Sequence, residues 1–506
     1  MTTSHSNLNV LHRRIQACRL AQRSSDDFIE AFGRSKLDSI APFERDEIIL
    51  GRRVGSGSFS SVYEIHGFNL RSDQSEIYCE EQVKEREATV KSVKNGKRYV
   101  MKCLKDKLEV SDDENVFLGA AQDIVHEAEM LAALSHPNIV KLQGVVARRQ
   151  LAFLEGGSQF FIIMERLECT LAEKIEVWSK EKNAFSPSKS FKTLSSTRLG
   201  SSRALSTNRV DASSTAAGRR TSLRCRIQVA SSLAGVMEYL HSKGIIFRDL
   251  KSHNVGFDRR NSLKLFDFGL ARFISPDSDA YEDLHHLGGS GTPRYSAPEV
   301  FFLQPYNLKA DVYSFSVLLW EVMSLKKPFA KYNQKEDFRK AFLKLDFETL
   351  AINRRRWPQS IQYILERGLS RDLWKRPTFS EVCSVLDDCA LFIDDNENVR
   401  TRSFSLARSK RILVDLSRRQ SERDLQKSRY SFGPVNRDTS NREICKRHLS
   451  ETSRTMALTF EDFLLQEGEM WDRSLHSTDA GTFQDYSQQE KEKSELWKLN
   501  RHRQQY

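Results

Sequence analysis

Apolar positions along the chain follow a period of two in its first part and a helical period afterwards. Ile48-Ile49-Leu50 and Val62-Tyr63-Glu64-Ile65 flank a Gly/Ser-rich turn, which predicts two strands joined by a tight loop. Residues 66–97 are charged and weakly patterned, an insertion ahead of the apolar run Tyr99-Val100-Met101. Ile124, Val125, Ala128, Leu131 and Leu134 fall at helical spacing. Val140-Lys141-Leu142 and Phe160-Phe161-Ile162-Ile163-Met164 predict further strands. Beyond Leu171 the pattern becomes helical. Val229, Leu233, Val236, Met237 and Leu240 mark a buried helix that stops at Gly244, and helical patterning continues to about Ile393.

Three stretches break this texture. Residues 1–45 are polar, with no acidic residue before Asp26, and are read as a disordered terminus; Leu8, Leu11 and Ile15 share a helical face beside Arg13 and Arg14, a pattern also compatible with a transit peptide. Residues 180–222 are dominated by Ser, Thr and Arg and read as a disordered insertion. Residues 393–506 read as a largely disordered tail, basic over 400–455 and then of mixed charge, with a short amphipathic pattern at Phe460, Phe463 and Leu464. Between the termini, residues 46–392 form one domain carrying the two insertions.

Composition changes this picture only at its edges. The net charge of +11 suggests a nucleic-acid partner at first sight. However, residues 180–222 hold nine basic and two acidic residues, and residues 400–455 fifteen and six, so the rest of the chain is mildly acidic. Nucleic acid is therefore not expected as a partner. No apolar run reaches the length of about 18 residues that a membrane span needs. The eight cysteines are scattered without a C-x-x-C pair, which fits free thiols in a reducing compartment, the cytoplasm first and the nucleus second.

Candidate chemistry lies in the ordered domain. In the turn Gly55-Ser56-Gly57-Ser58-Phe59-Ser60-Ser61-Val62, the glycines let a backbone pass close over phosphates. Lys102 ends an apolar strand and Glu127 stands on the next helix. Taken singly, they read as a strand-end lysine and a solvated helix face. Phe247-Arg248-Asp249-Leu250-Lys251-Ser252-His253-Asn254 is followed by Asp267-Phe268-Gly269, then by Thr292, Ala297-Pro298-Glu299, Asp311 and Arg376. Asp249 can accept a hydroxyl proton, Lys251 can neutralise a transferring phosphoryl group, and Asn254 and Asp267 offer the oxygen ligands Mg²⁺ prefers.

This ordered set resembles the eukaryotic protein kinase family over roughly residues 46–392. The resemblance implies an α+β, two-lobed fold, with a small, mostly β lobe and a larger helical one, and ATP and Mg²⁺ as cofactors. It further implies that Gly55, Gly57 and Val62 cover the nucleotide, with Val100 beside the adenine. Lys102 would anchor its phosphates with Glu127 as partner, Met164 would act as gatekeeper, and Glu165 and Leu167 would line the hinge. Asp249 is implied as catalytic base, Lys251 as its phosphate-neutralising neighbour, and Asn254 and Asp267 as metal ligands. Glu299 and Arg376 resemble a structural ion pair, and Asp311 a support beneath the catalytic loop. Ser60, Val100, Phe247 and Ser316 depart from the family pattern, and Phe247 replaces the usual histidine.

Lys251 and Thr292 match the serine/threonine type, and Asp249-Leu250-Lys251-Ser252, Asp311-Val312-Tyr313-Ser314-Phe315 and Trp374-Lys375-Arg376-Pro377 resemble the tyrosine-kinase-like group. The expected function is transfer of the γ-phosphoryl group of ATP to Ser/Thr hydroxyls of protein substrates, in intracellular signalling. The alternative is a pseudokinase scaffold, suggested by Phe247, Ser60 and the insertions. An upstream kinase is an expected partner: Arg248 can grip a phosphate on Ser275, Ser278, Tyr281 or Ser290, and arginines precede Thr221-Ser222 and Ser421. A segment ordered without modification is the alternative.

Overall fold

The computed structural model describes residues 2–32, 35–71, 78–111, 113–149, 151–184, 212–274, 280–343 and 349–394. The alternating stretches form six strands: β1 (Pro42–Phe43), β2 (Ile48–Ser56), β3 (Ser60–Phe68), β4 (Tyr99–Leu104), β5 (Leu142–Val146) and β6 (Phe161–Glu165). They make one sheet in the order β1-β5-β6-β4-β3-β2, antiparallel except where β1 runs beside β5. β4 lies inside the sheet, and five of its six residues are buried and apolar. Lys102 is the exception, opposite Val62 on β3 and Ile162 on β6.

Four helices belong to this part: α1 (Thr2–Phe32), α2 (Glu80–Lys94), α3 (Glu114–Ala133) and the single turn α4 (Ala152–Glu155). The Asp113 side chain caps α3 by accepting from the Asn115 amide at 2.9 Å. Phe117, Ala121, Ile124, Val125 and Ala128 of α3 are buried, an amphipathic stripe turned inward. Phe117 meets Phe153 edge-on at 6.4 Å, and Phe153 stacks on Phe160 at 5.1 Å.

The second part is helical: α5 (Leu171–Ala184), α6 (Ala212–Ser242), α7 (Pro298–Phe301), α8 (Lys309–Ser324), α9 (Lys335–Leu343), α10 (Gln359–Gly368) and α11 (Phe379–Asp394). α8 is buried at every position but its last, so its apolar character extends all round. Two short sheets, β7 (Cys169–Thr170)–β9 (Val255–Phe257)–β10 (Leu263–Leu265) and β8 (Ile245–Ile246)–β11 (Arg272–Phe273), carry the loops that face the first part. The fold is α+β, with a sheet-rich N-terminal part and a helical C-terminal part.

The described structure differs from the sequence reading at three places: the terminus, the first insertion, and both ends of the second, where residues 180–184 end α5 and residues 212–222 open α6. The terminus read as disordered is the helix α1, and its buried residues are Ala17, Ala21, Ser24 and Phe28, while Leu11 is exposed and Ile15 half-buried. Spacings of four, three and four put those residues on one stripe, but two alanines and a serine give a hydropathy pattern almost no signal. Arg13 donates to the carbonyl of Ser111 at 2.6 Å, and Arg14 to the Glu109 carboxylate at 2.7 Å. Ser25 and Ser35 donate to the two oxygens of the buried Glu129 on α3, at 2.8 and 2.7 Å.

The insertion 66–97 contains α2, whose buried residues are Arg86 and Thr89. Arg86 bonds the buried Glu47 carboxylate at 2.6 Å and lies over the rings of Phe43 and Tyr78. A helix that buries polar residues leaves no apolar period to read. Residues 185–211 of the second insertion and 395–506 of the tail lie outside the described residues, while Ala212–Ser222 form the start of α6.

Arg86→Leu removes the cation from a pair whose side chains are 5% and 0% exposed, leaving Glu47 buried without it. The expected loss is on the order of 3 kcal/mol, read as a lower urea midpoint at unchanged slope.

Candidate active site

β2 and β3 meet at the glycine-rich turn, where the Gly57 amide donates to the Ser60 carbonyl at 3.0 Å and Gly55 faces Val62. Beneath this turn a cleft of 1110 Å³ opens between the sheet and the helical part. Every residue singled out for nucleotide, metal or catalysis lines it: Gly55, Gly57, Val62, Val100, Lys102, Glu127, Met164, Glu165, Leu167, Asp249, Lys251, Asn254 and Asp267.

The centre of the cleft is the Lys102 ammonium, 2.6 Å from Glu127 Oε2 and 2.7 Å from Asp267 Oδ1. Desolvation alone pulls an ammonium pKa down, but the two carboxylates override it and hold Lys102 charged. Lys102 in turn holds Asp267 below the usual carboxylate range, whereas burial pushes Glu127 up against the pull of Lys102. Glu127 Oε1 is enclosed without a hydrogen-bond partner among the described residues.

Across the cleft, Asp249 is ringed by donors. Lys251 Nζ lies 2.6 Å from Asp249 Oδ2 and 2.9 Å from Thr292 Oγ1, and the Thr292 hydroxyl donates to Asp249 Oδ1 at 2.8 Å. The Asn254 amide nitrogen donates to the Asp249 carbonyl at 2.9 Å and to its Oδ2 at 3.0 Å, leaving the amide oxygen for another partner. That oxygen and the Asp267 carboxylate, whose side chain is 41% exposed, form a hard-oxygen pair that suits Mg²⁺. An ion of this kind takes one or two protein ligands and completes its shell with water and phosphate.

The loop that carries Asp249 is fixed from below. Asp311 Oδ2 accepts from the Phe247 amide at 2.7 Å, and Oδ1 from the Arg248 amide at 2.9 Å. Arg248 and Asp267 adopt left-handed φ values of 71° and 70°, a conformation that costs roughly 1–3 kcal/mol and persists where surrounding contacts impose it. Phe247 is fully buried and meets Phe268 edge-on at 5.1 Å. Its loop attachment is a backbone bond, so the departure from histidine leaves that attachment intact. Arg376, also fully buried, pairs bidentately with Glu299 at 2.5 and 2.9 Å. Ser316 turns its hydroxyl back to the Val312 carbonyl at 2.8 Å.

Two residues that the sequence reading did not single out, Asp123 and His126, tie α3 to the segment after Asp267. His126 Nε2 is 2.7 Å from the Ala271 carbonyl, and the Gly269 backbone packs on Asp123 so closely that a Cβ would sit 3.2 Å from its carbonyl oxygen. Asp123 stands four residues before Glu127 and so shares its helix face. That spacing was the signal available in the sequence. Of the candidate phosphate acceptors, Ser275 and Ser278 lie outside the described residues, and Tyr281 and Ser290 lie within them.

Burial pushes Asp123 up to about 6 and His126 down to about 4. The two act on stability with opposite sign. As pH falls from about 6 toward 4, folded Asp123 takes up its proton before the unfolded chain does, which favours folding. Over the same range unfolded His126 protonates first, which favours unfolding. Asp123→Asn is therefore expected to steepen the loss of stability between pH 6.5 and 4, and His126→Gln to reduce it. Urea midpoints measured across that range check both signs; parallel profiles for the two variants would contradict them.

Comparison with known proteins agrees with this geometry. Residues 82–385, more than half the chain, match the protein kinase domain family. The match begins inside the insertion, after the glycine-rich turn, which the sheet places beside β4. The chain is 36% identical over 165 residues to the serine/threonine-protein kinase CTR1 of Arabidopsis thaliana, covering 32% of this chain and 19% of that protein. It is 31% identical over 178 residues to the dual specificity protein kinase shkC of Dictyostelium discoideum, covering 33% and 32%. It is 30% identical over 199 residues to the serine/threonine/tyrosine-protein kinase HT1 of Arabidopsis thaliana, covering 38% and 47%. The aligned stretch spans less than half the length of each of these relatives. With the domain match and the cleft geometry together, the chain belongs to the protein kinase family.

Proposed function

We propose that this protein transfers the γ-phosphoryl group of Mg-ATP to serine or threonine hydroxyls of protein substrates. The observation that carries the reading is the simultaneous engagement of Lys102 by Glu127 and Asp267, opposite an Asp249 already aligned by Lys251, Thr292 and Asn254. Such a cleft works mainly by positioning and charge neutralisation.

In this reading the adenine lies between Val62, Val100 and Leu167, with Met164 behind it and the hinge at Glu165. Gly55 and Gly57 cover the phosphates, and Lys102 anchors them, held in place by Glu127. Mg²⁺ held by Asn254 and Asp267 would neutralise phosphate charge. Asp249 orients the acceptor hydroxyl and takes its proton as the bond to phosphorus forms. Lys251, within reach of Asp249 and Thr292, stabilises charge on the transferring group. With Thr292 Oγ1 beside Asp249, this reading has Thr292 contact the acceptor and expects the small Ser and Thr hydroxyls. Relatives named as dual specificity make tyrosine the acceptor to compare.

The test is phosphotransfer from ATP to a library of Ser, Thr and Tyr peptides. Asp267→Ala and Asp249→Asn are each expected to cut the rate at least about 100-fold, with Phe247→His close to wild type. ATP binding with no Asp267-dependent transfer would instead make the protein a scaffold.

A further inference from the structure

We propose that Tyr281 is a positioning residue of the transfer centre: acting through His241 and Asp311, its hydroxyl fixes the loop that carries Asp249, with no phosphate on the segment. The inference rests on the kinase reading above.

The contacts form a continuous chain. The Tyr281 hydroxyl lies 3.2 Å from His241 Nδ1, with the two rings edge-on at 5.9 Å, and the backbone of Phe379 adds a further hydrogen bond to it. His241 Nε2 lies 3.1 Å from Asp311 Oδ2, and both side chains are 1% exposed. Asp311 is the group that holds the Phe247 and Arg248 amides. The direction of each bond follows from chemistry. A carboxylate only accepts, so a ring with one proton carries it on Nε2; Nδ1 is then the acceptor, and Tyr281 donates to it. Removing the Tyr281 proton donor frees the ring to change tautomer or rotate, and loosens one oxygen of Asp311.

The segment around Tyr281 is tied to the loop before α8. The Asn307 amide donates to the Tyr281 carbonyl at 2.5 Å, Leu308 donates to Ala280 at 3.4 Å, and His285 and Tyr306 exchange backbone bonds at 2.9 and 3.1 Å.

The cations that would receive a phosphate already have partners. Arg248 donates to the Tyr306 hydroxyl at 2.9 Å and to the carbonyls of Leu270, Leu287 and Gly288 at 3.3, 2.6 and 3.2 Å. Arg248 and Arg272 also feel the Asp123 carboxylate, an anion the chain itself supplies. The acidic Glu238, Asp311 and Glu381 are among the charged neighbours of the Tyr281 hydroxyl. A phosphate on Tyr281 would meet repulsion there, so the expectation that phosphorylation of Tyr281 orders the segment gives way to a role for the free hydroxyl.

The experiment combines phosphatase treatment with a double-mutant cycle on the full-length protein. Phosphatase-treated wild type is expected to keep its rate. Tyr281→Phe, which preserves the ring, is expected to lower kcat about five- to tenfold with KM for ATP within twofold and the melting temperature nearly unchanged. In a His241→Phe background the same substitution is expected to cost nothing further. Loss of activity on dephosphorylation, an unchanged kcat, equal losses in both backgrounds, or a fall in melting temperature that accounts for the rate would each overturn the proposal. If wild type transfers no phosphate, the kinase reading fails, and amide exchange then decides this one: faster exchange at Phe247 and Arg248 in Tyr281→Phe supports it, unchanged exchange overturns it.

Discussion

One buried ammonium group joins three parts of the chain that are distant in sequence. Lys102 is the sole charged side chain of β4, Glu127 comes from α3, and Asp267 from the loop before β11. An uncompensated charge at such a site would cost several kcal/mol, so the three groups are stable only together. That mutual dependence is a geometric constraint. α3 must lie close enough to bring Glu127 in, and the loop must take up the left-handed φ of Asp267 to bring its carboxylate across. The cleft exists in this form because the charges require it.

The rest of the structure can be understood as what holds α3 and the two loops at those distances. On its inner side α3 is fastened to the segment after Asp267 by His126 on Ala271 and by the bare backbone of Gly269 against Asp123. On its outer side it is covered by α1, whose Ser25 hydroxyl, together with that of Ser35 just beyond the helix, donates to Glu129. The loop that carries Asp249 is suspended from Asp311, which α8 can place reliably because nearly all of that helix is buried. The charges of Lys102, Glu129, Asp249 and Arg376 are therefore met by hydroxyls, amides and opposite charges of the chain itself.

How much of this was legible depended on what kind of residue carried the information. The sheet, α3 and the helical part were visible because apolar side chains recur at period two or at helical spacing. The cleft residues were visible because their order and identity match a family pattern, although Lys102 or Glu127 alone would have passed for surface groups. What was not visible was carried by polar burial. α1 packs on alanines and a serine, α2 packs on an arginine, and His126 and Tyr281 are tied in by individual hydrogen bonds, none of which leaves a periodic trace. The positive charge that opened the possibility of nucleic acid lies mostly in residues 180–222 and 400–455 of the sequence, whereas the described residues that line the cleft carry both signs.

The central claim is that the Lys102 ammonium, shared by Glu127 and Asp267, is what makes the cleft competent. Steady-state transfer from Mg-ATP to peptide, comparing wild type with Lys102→Met at equal folded fraction, tests it most directly. The account predicts a fall in kcat/KM of at least about 100-fold per folded molecule, alongside a loss of stability from the two carboxylates left without their cation. A Lys102→Met protein that transfers phosphate at the wild-type rate would contradict it.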